Sequence, residues 1–182
     1  MVAHLSTDEV YDQACLDGTL DQLPFSGGLN GWNARGVRIR RAMSPLEVLQ
    51  EWEARQALVR WAWGKIGVDR KIPTSVGPYP LRLQVWHLAQ EYAIHADDIE
   101  VTMSPRERKA QLRWRAIFGL FAAEEEDEPV DAALRGDEVD LRHDGAVHRL
   151  GLETFIAYVT NRPQQMKDPT QRALVRRLGA TG

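Results

Sequence analysis

PLRLQVWHLAQEYAIHADDIEV, residues 80–101, is the stretch on which the reading of this chain turns. Four polar side chains in it, His87, Glu91, His95 and Asp98, recur at spacings of four, four and three. On a helix that advances about 100° per residue they fall within an arc of about 80°. Leu81, Leu88, Tyr92 and Ile99 flank one edge of that arc, and Leu83, Ile94 and Val101 flank the other. Arg82, Gln90, Asp97 and Glu100 mark the expected water-facing side. A polar stripe fenced by apolar residues predicts a helix that aims the stripe into the protein. Imidazoles and carboxylates placed there need partners, which either a metal ion or a hydrogen-bonded polar core supplies.

Glu91-x-x-x-His95 is the sharpest part of the stripe, because residues four apart on a helix are stacked neighbours whose tips converge. Two histidines and a glutamate, with a fourth position left to water or substrate, form a recurring catalytic zinc sphere. His87 lies on the same stripe, but eight residues, about 12 Å of helix axis, separate it from His95. It therefore reads as a polar-core or pocket residue rather than a ligand.

Working outward, Ser44-Pro45-Leu46-Glu47 is a capping box with proline at the first helical position. The helix it opens carries Leu46, Leu49, Trp52, Val59 and Trp63 and is expected to stop at Gly64 and Gly67. Ser104-Pro105-Arg106-Glu107 repeats the opening, followed by Leu112, Ala116 and Leu120. Trp32, Gly36, Ile39 and Met43 support a further helix between Asn30 and Met43. Residues 72–80, with three prolines and a glycine, read as a loop.

These elements predict a mainly α protein, with residues 1–123 a helical bundle. The composition changes after Ala123, and residues 124–182 read as a small α+β C-terminal region. An acidic run, Glu124 to Glu128, ends at Pro129 and reads as a solvated helix end and linker. Residues 138–142 and 146–150 flank His143-Asp144-Gly145 with alternating apolar positions, a hairpin signal. His143 and His148 on that hairpin read as surface residues. A short helix is expected from Leu152 to Val159, and a last one opened by Asp168-Pro169 and closed by Gly179.

At 43% hydrophobic and 27% charged residues, the chain has the composition of a soluble globular protein. A net charge of −3, with arginines scattered among acids, argues against a nucleic-acid partner. No run of about 18 apolar residues suggests a membrane span, and no leader pattern is present, so a cytoplasmic location is expected. Cys15, the one cysteine, excludes an intramolecular disulfide and reads as a small packed hydrophobe. Arg35, Arg38, Arg40 and Arg41 cluster ahead of the first capping box, either as a solvated face or as forks for a carboxylate.

Taken together, Met-Ser-Pro-Leu-Glu-Val-Leu-Gln-Glu-Trp at 43–52, the Gly-Pro loop and Glu91-x-x-x-His95-x-x-Asp98 resemble the mycothiol-dependent maleylpyruvate isomerase family. That family belongs to the DinB-like group of metal-binding four-helix bundles. Met1-Val2-Ala3-His4-Leu5 resembles the end of its N-terminal helix motif, and residues 137–162 resemble a reduced version of its C-terminal domain. The resemblance implies a divalent metal, usually zinc, held by His4, Glu91 and His95. The open position would take the thiol of mycothiol or a similar low-molecular-weight thiol. Asp98 becomes a candidate catalytic residue that orients an imidazole, and Arg38 and Arg41 become candidates for holding the thiol cofactor.

The activity implied is S-transfer to, or isomerisation of, an electrophilic small molecule. The alternative is a non-enzymatic DinB-like protein that binds a ligand or partner. The family pattern has a helix ahead of the His-Leu motif, and on the resemblance that helix is absent here. An apolar face left open in this way predicts self-association, with a homodimer as one form. Ser6-Thr7-Asp8-Glu9 is also a capping box, which would begin a helix after His4, whereas the family pattern runs the helix through it.

Overall fold

The computed structural model describes residues 1–24, 28–125 and 130–179, with the backbone alone at residue 29. It is mainly helical, with seven α-helices and small antiparallel sheets among the described residues. The chain divides into two compact units, residues 1–100 and 101–182. No described helix is long and apolar enough to cross a membrane.

The first unit is built around α1 (Val2–Asp17), which packs against α2 (Gly28–Ile39), α3 (Pro45–Ile66) and α4 (Leu81–Asp98). The helix runs through His4 and ignores the capping box at Ser6, whose side chain is buried. Thr7 Oγ1 instead donates back to Ala3 O at 2.8 Å, a bond compatible with helix interior. Glycine at 36 lets α2 approach α1 closely: a Cβ there would stand 2.0 Å from Thr7 Oγ1. Arg40, just past α2, is 6% exposed and forks onto Glu51 of α3 at 2.7 and 2.9 Å. Its remaining nitrogen donates to Thr7 Oγ1 and Gly36 O, so one guanidinium ties three helices together.

The Ser44–Glu47 capping box forms in full, and α3 continues through Gly64 to end at Gly67 (φ 90°). Leu46 and Leu49 are exposed, so only Val48, Val59 and Trp63 of this helix are deeply buried. The core gathers Cys15, Val59, Trp63, Ile72, Leu81 and Leu88. Each large side chain so buried contributes roughly 1.5–3 kcal/mol. Cys15 is fully buried, and burial pushes its thiol up to about 12.

Residues 72–80 are not a loop. Lys71–Thr74 (β1) and Gly77–Pro80 (β2) pair as an antiparallel hairpin with Pro73 opposite Pro78. In a two-stranded ribbon both strands are edges, so proline removes no central ladder bond. The helix at the centre of the sequence reading is α4, but its environment is broader than the stripe implied. Gln90, expected to face water, is 4% exposed, because buried positions are spread around the circumference of α4. Ile99 and Val101 lie beyond its end and are exposed. Ile39, one of the residues whose spacing supported α2, is exposed as well.

The second unit contains α5 (Pro105–Glu125), a three-stranded antiparallel sheet, α6 (Leu152–Val159) and α7 (Pro169–Gly179). Leu112, Ala116 and Leu120 of α5 pack on the core of this unit, with Val139, Leu141, Leu150 and Phe155. The chain divides between these units at Glu100–Val101, and the apolar face of α5 is taken up by the sheet and α6 of the second unit. Asp144 (φ 50°) and Gly145 (φ 74°) make the tight turn between β4 (Glu138–His143) and β5 (Ala146–Gly151). A third strand, β3 (Ala132–Arg135), precedes them through the two-residue turn Gly136-Asp137. Sequence reasoning missed this strand. Of the acidic run, Glu124 and Glu125 close α5, and residues 126–129 lie outside the described residues.

Candidate metal centre

His4 stands on the first turn of α1, and Glu91 and His95 stand on successive turns of α4. The pairing of these two helices brings the three together. His4 Nε2 lies 3.6 Å from Glu91 Oε2, and His95 Nε2 lies 3.8 Å from the same oxygen. The two imidazoles meet edge to face with centroids 5.1 Å apart. One ligand atom from each residue falls within 4.8 Å of the other two. Donors about 2.0–2.1 Å from a tetrahedral zinc sit roughly 3.3–3.4 Å from one another. The cluster thus has the donor set of a metal sphere, and its two imidazole–carboxylate edges exceed those separations by a few tenths of an ångström.

Asp98 completes the α4 side. Its Oδ2 lies 2.9 Å from His95 Nδ1. A carboxylate accepts, so Nδ1 donates to Asp98, and Nε2 is the ring nitrogen on the Glu91 side. The cluster is not sealed: the Glu91 side chain is 44% exposed, against 14% for His95. The glutamate side of the cluster is thus the side open to solvent.

The facing helix carries a second polar stripe that sequence reasoning did not single out. His4, Asp8 and Asp12 are spaced four and four along α1, the same period that was recognised on α4. Asp8 Oδ2 is 3.5 Å from His4 Nε2 yet is buried without a hydrogen-bond partner. Burial pushes the Asp8 carboxyl up to about 7, against the opposing pull of His4. Asp12 is fully buried, receives Gln84 Nε2 at 2.8 Å, and is raised well above the usual carboxylate range by burial. The His4 imidazole is raised by its interaction with Glu91, against desolvation.

A chain of hydroxyl and indole groups braces this seam. Trp52 Nε1 of α3 donates to Tyr92 Oη at 3.1 Å, and Tyr92 Oη donates to Glu9 Oε1. Three helices are thereby fixed in register around the cluster. Tyr79 of β2 pairs with His87 Nε2 at 3.2 Å, so His87 belongs to a tyrosine contact one turn away from Glu91. Arg38 and Arg41 are exposed at the C-terminal end of α2, and Arg40 is the member of that run whose fork the fold uses. His143 and His148 are half-buried on β4 and β5 of the second unit.

Compared with family models, with curated proteins and with solved structures, the chain finds no match. The reading of the site accordingly rests on its own donor chemistry.

Proposed function

We propose that His4, Glu91 and His95 bind one divalent metal ion, and that the protein is a metal-dependent thiol S-transferase or isomerase of DinB-like type. The observation that carries this reading is the convergence of two imidazoles and one carboxylate within 4.8 Å, on two different helices. Zinc is the ion the family resemblance implies. A bound divalent ion lowers the pKa of a coordinated thiol and supplies thiolate at neutral pH. The protein's own residues do the rest. Asp98 holds His95 in one tautomer, Glu91 faces the approach from solvent, and the Trp52–Tyr92–Glu9 chain keeps the two ligand-bearing helices in register. The substrate class is an electrophilic small molecule. Addition of a small thiol such as mycothiol would give a thioether, or a transient adduct free to rotate about a former double bond.

Elemental analysis and a thiol panel test this together. Wild type should carry one equivalent of metal, and Glu91→Gln or His95→Ala should abolish uptake. Metal-loaded protein should accelerate conjugation or isomerisation of an electrophile only with mycothiol, bacillithiol or glutathione present. Full metal retention in both variants would remove the site. No rate above the metal-free protein with any thiol would remove the activity.

A further inference from the structure

We infer that the outward face of α3 is the interface of a homodimer, in which two copies of this helix pack antiparallel about a two-fold axis beside Gln56. The inference stands apart from the metal reading. A helix advancing about 100° per residue gathers Leu46, Ala54, Ala57, Leu58, Trp61 and Gly64 on one side of α3. Val48, Val59 and Trp63, its deeply buried residues, lie on the opposite side. All six of the outward residues are exposed, Leu46 at 61%, Leu58 at 62% and Trp61 at 66%. A single exposed leucine needs no explanation, but three large apolar side chains in line along one helix do. The small residues between them let a second helix come close. Gly64 is unfavourable in a helix, and a Cβ there would meet nothing within 4 Å in the single chain, so no contact inside the chain asks for glycine.

The charges beside this strip identify its occupant. Exposed acids, Glu47 and Glu53, stand along its first half, and exposed bases, Arg60 and Lys65, along its second. That pattern complements itself only when reversed, since a parallel copy would set acid against acid and base against base. A two-fold axis keeps each flank facing its own counterpart. With the axis beside Gln56, Glu47 stands level with Lys65 of the second copy on one flank, and Glu53 within about one residue of Arg60 on the other. The same register seats Leu58 over Ala54, a large side chain on a small one. In the single chain Lys65 Nζ lies 5.6 Å from the Trp61 ring centroid, and the Arg60 guanidinium lies 5.5 Å from that of Tyr92. Surface ion pairs add little affinity but fix orientation and register, while the apolar strip supplies the attraction. Each contact occurs twice, so the assembly closes at two copies.

Light scattering of the full-length protein over a concentration series should show a mass rising to twice that of one chain. Leu58→Glu, at a position exposed in the single chain, should weaken association at least about 10-fold with unchanged circular dichroism. Lys65→Glu, which sets a second carboxylate against Glu47, should weaken it too, and less so at high salt. Cysteine oxidation reads the orientation. Ala57→Cys, beside the axis, should give a disulfide-linked dimer. Leu46→Cys, about 15 Å along the helix from the axis and so about 30 Å from its mate, should not. Cys15 is fully buried and adds no background. A protein that keeps the mass of one chain throughout, or a Leu58→Glu variant that associates as strongly as wild type, overturns the interface. Linking at Leu46→Cys as ready as at Ala57→Cys overturns the antiparallel arrangement.

Discussion

Replacing Gly36 with alanine should destabilise the first unit by about 2–4 kcal/mol, although the same change on an open helix would stabilise by about 1 kcal/mol. The new Cβ would meet Thr7 Oγ1 at 2.0 Å, Cγ2 at 2.4 Å and Cβ at 2.7 Å. No rotation of the alanine relieves this, because Cβ is fixed by the backbone. Thr7 must turn away or α1 must retreat. Turning Thr7 breaks its bond to Ala3 O and its acceptance from Arg40 Nη1, each worth about 1 kcal/mol. Overpacking the helix contact costs a further 1–3 kcal/mol or so. Urea titration followed by tryptophan fluorescence reads the effect, since Trp32, Trp52, Trp61, Trp63 and Trp86 all lie in residues 1–100. Thr7→Ala in the Gly36→Ala background should restore part of the loss, a coupling of about 0.5–3 kcal/mol. A Gly36→Ala protein as stable as wild type would refute the close α1–α2 approach and with it the placement of His4.

Two further outcomes follow from the polar contacts. Asp98→Asn should weaken metal binding about 10–100-fold in a chelator competition, while the melting temperature of the metal-free protein stays close to wild type; equal affinity would detach Asp98 from the centre. For pH dependence, the Arg40 guanidinium beside Glu51 holds that carboxyl down at about 2, below its ordinary 4.5. A folded value lower than the unfolded one gives stability present above about pH 4.5 and lost as pH falls toward 2. Urea midpoints measured across that window should fall for wild type more steeply than for Glu51→Gln, and parallel curves would show that the pair adds nothing.

Much of the helix content was legible because the signals were local. The Ser44 and Ser104 capping boxes form as read, and the Asp144-Gly145 turn sits where the alternating strands required it. What escaped was set by partners far along the chain. Gln90 reads as a surface residue until the packing around α4 is known, and α5 reads as bundle until the sheet that takes its apolar face is seen. The β1–β2 hairpin was hidden by prolines whose usual prohibition lapses in a ribbon with two edges. At the site, periodicity on α4 was visible because Glu91, His95 and Asp98 are close in sequence. The equal periodicity of His4, Asp8 and Asp12 was passed over because only the pairing of α1 with α4 shows that the two stripes face each other.

His4 and Glu91 come from opposite ends of the first unit's sequence, so their cluster with His95 exists only after the intervening helices have docked. The unfolded chain holds no such convergence, so under the proposed metal reading occupancy and folding would be linked. At free metal 100 times the dissociation constant, the folded form gains about 2.7 kcal/mol. Under the proposed metal reading, the stability of this unit would rise and fall with the supply of the ion.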